Sequence, residues 1–558
     1  MHIAFSATDS YVDYMGTAIY SIIQHHPQQE LHFHILTRGF SSHSRFKLSL
    51  LESELVSIDV IEVNAGLFEG LPLKENISLE TYFRILLPNL LPQLPRILYL
   101  DCDILVKGDL TELWQFDLND SYLAGVNELD MLHRNPDYRQ KIGFETDDIY
   151  VNAGVLLLDL AKMRKDQITE LLFEKAEQLK DSIDYQDQDI INIALKGKIR
   201  PLAQKYNVTS YLREVSQPPL EEAAIIHFNW HKPWRKDQNS LHYNRPAFQL
   251  YRNYYQDYQQ LTEQPITLLV NAHQVRPEAL RQCLTSIQQQ AYQRLDIVVL
   301  VSEKEADLLA LARQYLDQDH RFRLREMKPT ATRLDYYKQG IATTYSPYLI
   351  FVDAEDWLDA DYVSGLYRHL YHEEADICLG AFTLFNEEDG IYSFFEPEIH
   401  QGSRTSTYLL ENLFGLKWYE SYRHLSLTGK IYRRQLFSQA HLINDYQSED
   451  LWSLMLYLAS KTLAFNGERT YVKRLKRVEE KQALHAETIS LRRQELLSIL
   501  TSFAVCKIPL QHVLNYYQEQ LQILLETAWQ LHERELVTQL EADLNRLTSL
   551  KLLASDKP

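Results

Sequence analysis

Short apolar runs alternate with amphipathic stretches in the first part of the chain, and this alternation restricts the fold more than any other feature. Alternating strands and helices at this spacing predict a mostly parallel sheet with helices on both faces. Such sheets bind ligands beyond the carboxyl ends of their strands, so a site is expected there. The predicted strands are His2–Ala7, Leu31–Leu36, Ser57–Val63 and Arg96–Leu100, and the predicted helices are Tyr14–His25, Ser42–Leu55 and Leu79–Leu87.

The alternation starts again at Ile266, after a stretch of Gln, Tyr and Asp around Tyr255–Pro265 that we predict to be a linker. A chain of 558 residues is too long for one hydrophobic core, and the two α/β halves resemble a distant duplication. The predicted strands of the second half are Ile266–Val270, Leu295–Val301 and Tyr348–Val352, and its predicted helices are Pro277–Gln289 and Glu303–Leu316.

Beyond about residue 480 the chain is rich in Leu, Gln and Glu, and this composition predicts helices packed on one another. Leu496–Val505 and Leu510–Leu525 are two such stretches, and Pro509 suits the first turn of the second. We interpret this region as a helical cap or a partner surface without chemistry of its own.

The balance of charge excludes some classes of partner. The 57 basic and 76 acidic residues leave a net charge of −19, which repels nucleic-acid phosphates and anionic lipid, but not neutral sugars. No apolar run is long enough for a membrane helix, and the N-terminus lacks the basic region of a signal peptide. The scattered Cys102, Cys283, Cys378 and Cys506 indicate buried free thiols, so a cytoplasmic location is expected.

Asp101 and Asp103 follow the apolar strand Arg96–Leu100 directly. Two neighbouring buried carboxylates repel each other unless a cation neutralises them. Their hard oxygen ligands favour Mn²⁺ or Mg²⁺, which would stabilise the charge on a departing nucleoside diphosphate. Taken alone, the motif is also compatible with an ordinary acidic turn after a strand.

Six segments in one order across the first domain resemble glycosyltransferase family 8, a family of retaining UDP-sugar enzymes with the GT-A fold. The resemblance implies a donor site at the carboxyl end of the first sheet, and a metal held by Asp101, Asp103 and His227. The six segments are Ile3–Tyr11, Tyr82–Pro88, Leu98–Val106, Val151–Asp159, Tyr185–Asn192 and Ile226–Trp234.

The resemblance also gives each donor-binding residue a role. The end of the first strand would hold the uridine, with Tyr11 stacking on the base. Arg84 would reach the donor sugar or a phosphate, and Lys232 would neutralise the diphosphate. The implied donor-binding residues are Ala7, Thr8, Asp9, Tyr11, Arg84, Asp101, Cys102, Asp103, Asn152, Ala153, Gly154, Asp187, Gln188, His227, Asn229 and Lys232.

Asp187 and Gln188 resemble the pair beside the anomeric carbon, and both are implied catalytic residues. An amide is a poor nucleophile, so the resemblance favours same-face substitution, in which the leaving phosphate takes the acceptor proton. Asp187 would then hold sugar hydroxyls. A helix start capped by acidic residues would also explain Asp187, but not the whole segment.

The first domain departs from the family at three places. Thr8 stands where the family usually has Asp, and Asn229-Trp230-His231 replaces a longer loop that contains Gly. Trp230 is a candidate for shaping the acceptor side. The acidic residue expected after Leu123–Val126 corresponds to Asn127 or Glu128.

Residues 266–471 resemble glycosyltransferase family 2, whose members are inverting GT-A enzymes. The metal motif of that family corresponds to Asp353–Asp356, and its catalytic base to Asp450. The resemblance is carried by Ser286–Gln290, Tyr348–Trp357, Gly429–Phe437 and Ser448–Asp450.

The nucleotide-binding residues of family 2 are missing from this half. Val301–Lys304 replaces an Asp-Asp-Gly-Ser loop, and Tyr336-Tyr337-Lys338 replaces Ala-Arg-Asn ahead of Gly340. The second domain is therefore interpreted as an inactive support that dimerises or holds the acceptor, with a second active transferase as the alternative.

The sequence thus predicts an α/β protein with a GT-A catalytic domain at 1–260, a second GT-A-like domain at 266–478 and a helical region at 480–558. The predicted activity is metal-assisted, retaining transfer of galactose or glucose from a UDP-sugar to a glycan or glycoprotein. The layout is similar to enzymes that extend O-glycans on serine-rich bacterial adhesins. The alternatives are a bifunctional transferase and a non-catalytic sugar-binding scaffold, and oligomerisation would use the second domain or the helical tail.

Overall fold

The computed structural model describes residues 1–71, 78–180, 182–215, 218–235, 245–394, 401–413, 423–439, 448–475, 486–505, 508 and 511–555. The chain divides into two compact units, Met1–Glu263 and Gln264–Pro558. Among the helices that the structure describes, none has both the length and the apolarity needed to cross a membrane. The predicted positions of Pro509 and Cys506 lie outside the described residues.

The first unit is built on a seven-stranded sheet with the order β3-β2-β1-β4-β7-β6-β8. The strands β3, β2, β1 and β4 are parallel, whereas β7 runs antiparallel to both of its neighbours. A separate antiparallel pair joins β5 to β9. The strands are β1 His2–Ser6, β2 Leu31–Thr37, β3 Val56–Glu62, β4 Arg96–Leu100, β5 Ile104–Val106, β6 Leu123–Asn127, β7 Val151–Asp159, β8 Ile199–Pro201 and β9 Ile225–His227.

Helices cover both faces of this sheet, because successive side chains of its strands enter two different cores. Ile3 and Phe5 pack with helix α1 on one face, and Ala4 packs with Tyr82 and Tyr99 on the other. The helices are α1 Val12–His25, α2 Ser42–Ser49, α3 Leu87–Leu90, α4 Thr111–Trp114, α5 Leu129–Arg134, α6 Pro136–Lys141, α7 Leu160–Lys165, α8 Ile168–Leu179, α9 Gln186–Ala194, α10 Ser210–Glu214 and α11 Arg245–Thr262, with 3₁₀ turns at Asp9–Tyr11, Ala65–Phe68, Leu79–Leu86, Gln204–Tyr206 and Leu220–Glu222.

Two predictions of local structure in this unit were wrong. The stretch predicted as a linker at Tyr255–Pro265 is helical as far as Thr262. Its tyrosines pack rather than face water, since Tyr258 is fully buried and its ring lies where a side chain on Gly16 of α1 would be. The helix predicted at Ser42–Leu55 ends at Ser49, because the chain turns there to enter β3.

The second unit contains a ten-stranded sheet whose first four strands have the order β12-β11-β10-β13. These strands are parallel, so they repeat the order and direction of β3-β2-β1-β4 in the first unit. The strands are β10 Ile266–Ala272, β11 Leu295–Ser302, β12 Phe322–Met327, β13 Tyr348–Asp353, β14 Trp357–Leu358, β15 Ile377–Asn386, β16 Ile391–Phe394, β17 Gln401–Thr405, β18 Lys430–Arg433 and β19 Thr462–Leu475.

The last three helices of the second unit form the predicted helical region. They share an apolar cluster that includes Leu496, Leu521 and Leu540, which explains why long Leu-rich helices form here. The fold class predicted from the sequence, α/β with a helical C-terminal region, is confirmed. The helices are α12 Pro277–Gln288, α13 Ala306–Gln318, α14 Arg333–Ala342, α15 Tyr362–His372, α16 Ser406–Asn412, α17 Gln435–Gln439, α18 Glu449–Ala459, α19 Ala486–Val505, α20 Gln511–Gln530 and α21 Arg534–Ser555.

Candidate functional site

The two aspartates that follow β4 lie beside a histidine from a distant part of the chain. The backbone N–H of Asp101 donates to the carbonyl of Gly154 on β7, which fixes where the motif leaves the sheet. The pairing of β5 with β9 sets Ile104 opposite His227. As a result, one ligand atom each of Asp101, Asp103 and His227 lies within 4.8 Å of the others. Two carboxylates and an imidazole form a donor set that suits a divalent cation.

Gly154 leaves the space in which these three side chains meet. A Cβ atom at this position would lie 2.3 Å from Cε1 of His227 and 2.8 Å from Oδ2 of Asp101. No side chain can be accommodated at those distances, so the close approach requires glycine. The family resemblance implies that Gly154 binds the donor. The structure adds a second requirement for glycine here, since a side chain would overlap two of the candidate metal ligands.

Arg84 is buried on one side of the aspartates and connects them to Asp187. Its Nη2 donates to Oδ1 of Asp101 at 2.9 Å, and its Nε lies 3.1 Å from Oδ2 of Asp187. Burial opposes its charge, but the two carboxylates raise the pKa of Arg84. Burial raises the pKa of Asp187 to about 6, against the opposing effect of Arg84. One guanidinium thus serves two acidic groups of the site.

Gln188 is held by hydrogen bonds at both ends of its amide. Its Oε1 accepts from the backbone N–H of Ala153 at 3.0 Å, and its Nε2 donates to the hydroxyl of Tyr150. The neighbouring Asp189 is fully buried and accepts from the hydroxyls of Tyr138 and Tyr150. Asp189 therefore anchors the start of α9, on which Asp187 and Gln188 lie.

Lys232 lies against the candidate metal ligands despite the shortened loop before it. Its Nζ contacts Oδ2 of Asp103 and also donates to the carbonyl of Asn229. Burial alone would raise the pKa of Asp103, but its neighbours Lys232 and His227 outweigh burial and lower that pKa. The side chain of Asn229 instead accepts from the backbone N–H of Ser210, where α10 begins.

The residues predicted to hold the uridine lie at the carboxyl end of β1. Ala7 is buried, and the carboxylate of Asp9 accepts two hydrogen bonds from Ser41 at the start of α2. Tyr11 is half-buried, with its ring edge-on to Tyr14. The side chain of Cys102 faces away from the aspartates on either side of it, since its Sγ donates to the carbonyl of Ser6.

The first unit contains a cavity of about 350 Å³, whose wall includes Tyr185 next to α9 and Trp230 and His231 of the shortened loop. Trp230, which the sequence suggested for the acceptor side, is 56% exposed and contributes to its wall. The lining is both aromatic and charged, as is common in sugar-binding sites. The residues that line it are Asp130, Met131, Arg134, Asn135, Tyr185, Ser210, Tyr211, Glu214, Trp230 and His231.

The structure distinguishes between Asn127 and Glu128, which the sequence could not. Glu128 is buried and its carboxylate accepts from Nδ2 of Asn152, an implied donor-binding residue at the start of β7, whereas Asn127 accepts from the backbone of Tyr150. Sequence reasoning missed Asn207 entirely. This buried residue contacts both His227 and Asn152, and no motif or spacing in the sequence indicated it.

In the second unit, arginines are paired with the carboxylates that correspond to the metal motif and the base. Nη1 of Arg333 lies 2.5 Å from Oδ2 of Asp353, and its Nε lies 2.5 Å from Oε1 of Glu449. Nη2 of Arg492, on α19, donates to Oδ2 of Asp450 at 2.7 Å. Among the described residues, only Asp101, Asp103 and His227 bring three candidate ligand atoms together.

The positions that lack the nucleotide-binding residues of family 2 are used for packing. Tyr336 and Tyr337 are buried in the core on α14, and the hydroxyl of Tyr337 donates to the carbonyl of Val352. Glu303 follows β11, and its backbone N–H donates to Met327. These tyrosines fill the interior with aromatic rings where the family has Ala-Arg.

Comparison with known proteins finds relatives of the first unit. A protein of Haemophilus influenzae described as a putative glycosyltransferase is 30% identical over 217 residues, which are 38% of this chain and 65% of that protein. The lipopolysaccharide 1,2-glucosyltransferase of Escherichia coli is 28% identical over 42% of this chain and 73% of that protein. The chain thus spans less than two thirds of the first relative.

Among solved structures, the galactosyltransferase LgtC with donor and acceptor sugar analogues is 31% identical. The match covers 46% of this chain and 96% of LgtC, with a TM-score of 0.41.

Two family profiles match the chain, one in each unit. The profile of Glycosyl transferase family 8 matches residues 2–238, and that of Glycosyl transferase family 2 matches residues 267–440. Both family resemblances predicted from the sequence are therefore confirmed, and with them the GT-A fold. The chain joins a glycosyltransferase family 8 domain to a glycosyltransferase family 2 domain.

Proposed function

We propose that the first unit is a retaining hexosyltransferase that moves galactose or glucose from a UDP-sugar to a hydroxyl of a glycan or glycoprotein. The observation that carries this proposal is the meeting of Asp101, Asp103 and His227 at the carboxyl end of the sheet, between Arg84 and Lys232. The E. coli relative, which matches over the same unit, is itself named as a glucosyltransferase.

The three side chains fit Mn²⁺ or Mg²⁺ in the donor set they offer and in the space that Gly154 leaves for them. When bound, the metal supplies positive charge against the diphosphate as it departs. Lys232 adds a further cation on the same side, through the Nζ that contacts Asp103.

The residues around the sugar have distinct proposed tasks. Asn152, Ala153 and Gly154 approach the donor sugar from the start of β7, where the family resemblance implied a loop, and Glu128 and Gln188 hold this segment in place. Asp187 accepts hydrogen bonds from sugar hydroxyls, and Arg84 holds it in place from the opposite side. Thr8, Asp9 and Tyr11 at the end of β1 are proposed to meet the ribose and base.

In the proposed reaction the bond between the anomeric carbon and the diphosphate oxygen breaks, and the acceptor oxygen bonds to that carbon on the same face. The acceptor proton passes to the leaving diphosphate, so the products are UDP and the extended glycan. Gln188 does not act as the nucleophile, because its oxygen already accepts from Ala153 and an amide is weakly nucleophilic. Its proposed role is to hold the start of β7 in place beside the anomeric carbon.

We place the acceptor in the cavity that Trp230 borders, because its mixture of aromatic and charged side chains suits a sugar. A glycosylated adhesin as the acceptor stays a prediction from the domain layout. So do a cytoplasmic location, which the buried free thiols of Cys102, Cys283 and Cys378 support, and oligomerisation through the second unit.

We propose that the second unit performs no transfer of its own. The carboxylates of Asp353 and Asp450 are each neutralised by an arginine of the same unit, Arg333 and Arg492. Asp101 and Asp103 of the first unit are also paired with cations, so the stronger support comes from Tyr336 and Tyr337, whose buried rings stand where family 2 has nucleotide-binding residues. A support or acceptor-holding role is the function that remains for this unit.

The test of the proposed function is UDP release from UDP-galactose and UDP-glucose with Mn²⁺. We expect metal-dependent turnover by the native chain and a loss of at least about 100-fold in Asp103→Ala, because the metal would lose a charged ligand. Asp450→Asn is the matched carboxylate change in the second unit and should keep native turnover.

Failure to turn over either sugar, together with no UDP binding by calorimetry, would contradict the transferase proposal and favour a sugar-binding scaffold. A comparable loss in Asp450→Asn and Asp103→Ala would instead identify a bifunctional enzyme. The sugar that is turned over names the donor.

A further inference from the structure

Asn207 is fully buried, and it lies between the candidate metal ligand His227 and Asn152 of β7. Its Oδ1 lies 2.9 Å from Nδ1 of His227, and its Nδ2 donates to Oδ1 of Asn152 at 2.9 Å. Both contacts join residues that are far apart in sequence. The amide therefore links two parts of the site that no single element connects.

One backbone N–H determines which way the side-chain amides of Asn152 and Asn207 are oriented. The N–H of Gly154 can only donate, and it points to Oδ1 of Asn152 at 3.0 Å. The other end of the same amide, Nδ2, must then donate, and it meets the carboxylate of Glu128 at 2.7 Å. A backbone donor and a carboxylate acceptor thus fix Asn152 from two sides.

This orientation determines the next two groups. Because Oδ1 of Asn152 is an acceptor, Asn207 must present its Nδ2 to it and its Oδ1 to His227. An acceptor oxygen facing Nδ1 requires the proton of the imidazole to be on Nδ1. In the neutral ring Nε2 is then free of hydrogen, and it lies 3.2 Å from Oδ1 of Asp103 and 3.9 Å from Oδ2 of Asp101.

The fold holds Asn207 next to His227 through the backbone. Val208 forms a bridge with Ile226 of β9, and the N–H of His227 donates to the carbonyl of Val208 at 3.1 Å. A 3₁₀ turn over Gln204–Tyr206 directly precedes Asn207 and fixes the backbone on that side of it. The amide thus has little freedom to move away from the ring.

We propose that Asn207 is a positioning residue that sets the tautomer and orientation of His227, so that Nε2 faces Asp101 and Asp103. This inference rests on the metal site of the proposed function. Outer hydrogen bonds of this kind fix a metal-binding histidine, and their loss typically lowers metal affinity about 10- to 100-fold.

The test is Mn²⁺ affinity of the full chain, measured without donor sugar from the electron paramagnetic resonance signal of free Mn²⁺. Asn207→Leu removes the acceptor at similar volume and should weaken binding about 10- to 100-fold. Asn207→Asp keeps an acceptor for the Nδ1 proton but loses the donor to Asn152, so it should recover part of the affinity that Asn207→Leu loses. Asn271→Leu changes a buried asparagine of the other unit and should bind as the native chain does.

A purely structural role for Asn207 would predict that Asp and Leu are equally harmful, so equal losses in the two variants would overturn the inference. So would native affinity in Asn207→Leu while Asp103→Ala loses binding. Thermal unfolding of each variant, followed by circular dichroism, confirms that the protein is folded at the titration temperature. Absence of Mn²⁺ binding by the native chain would contradict the proposed metal site itself, and the inference with it.

Discussion

At the scale of single residues, a missing side chain matters as much to this site as the charged ones. The three candidate ligands converge because Gly154 places only backbone between them. The same residue contributes its N–H to Asn152 and its carbonyl to the N–H of Asp101. Gly154 therefore determines the separation of the ligands and the orientation of the groups behind them.

The substitution Gly154→Ala should disable the site without changing any charge. The added methyl group would overlap His227 and Asp101, so either the ring or the carboxylate must move. A displacement of this size in a catalytic site costs about 100-fold in kcat/KM, and we expect Mn²⁺ affinity to fall with it. UDP release and Mn²⁺ titration measure the two effects.

Gly66→Ala is the matched control, since Gly66 is exposed and its nearest neighbour is the side chain of Asn64. Native activity in Gly154→Ala would show that the ligands do not converge as described.

At the scale of elements, the parallel register of β1 and β2 stacks three histidines on one face of the sheet. His2 lies opposite His32, and its ring centroid is 4.6 Å from that of His32 and 5.4 Å from that of His34. Burial, followed by the charges of the other two histidines and the N-terminus, lowers the pKa of His2 to about 4. The carboxylate of Asp59 lies next to this histidine cluster, with its Oδ2 3.6 Å from Nδ1 of His34.

This cluster predicts that stability decreases in mild acid. The pKa of His2 is lower in the folded chain than the ordinary histidine value of about 6.5, so the unfolded chain binds more protons between about pH 6.5 and 4. The free energy of unfolding should therefore fall as the pH falls through that window. His2→Gln should make the decrease shallower, by less than about 1 kcal/mol because the ring is partly exposed to solvent.

Urea unfolding of the native chain and of His2→Gln at pH 7 and pH 4.5 measures this difference. An equal decrease in both proteins would show that His2 does not contribute to it.

At the scale of the whole molecule, the two units have sheets with the same order of parallel strands but differ in the residues that follow the fourth strand. The fourth strand of the first unit leads into carboxylates that share a histidine, whereas that of the second unit ends at Asp353, which is bound to Arg333. The apolar clusters of the described residues each lie within one unit. Each unit therefore has its own core and its own stability.

Calorimetry should show that a donor-site ligand stabilises the first unit against thermal unfolding and does not stabilise the second. A ligand that binds only the folded first unit stabilises it by about 2.7 kcal/mol at 100 times its Kd. We expect Mn²⁺ with UDP to raise the temperature of one unfolding transition and leave the other unchanged. In Asp103→Ala that shift should be lost or strongly reduced. A shift of both transitions in the native protein would contradict the assignment of donor binding to the first unit alone.

The sequence by itself predicted both families, the first parallel strands of each unit with the helices between them, and the three candidate metal ligands. These are properties of local pattern, since apolar spacing selects strand or helix and the metal motif directly follows a strand. His227 was predicted from the resemblance of Ile226–Trp234 to family 8 and not from its contact with Asp101.

Only the tertiary structure decided which side chains meet across those elements. It brought Glu128 rather than Asn127 to Asn152, brought Asn207 to His227, made most of the predicted linker a helix packed on α1, and paired Arg492 with Asp450. Each of these outcomes depends on strand register and helix packing between segments far apart in the chain. A pattern read along one segment contains no information about that register, because the partner that satisfies a buried polar group lies elsewhere in the sequence.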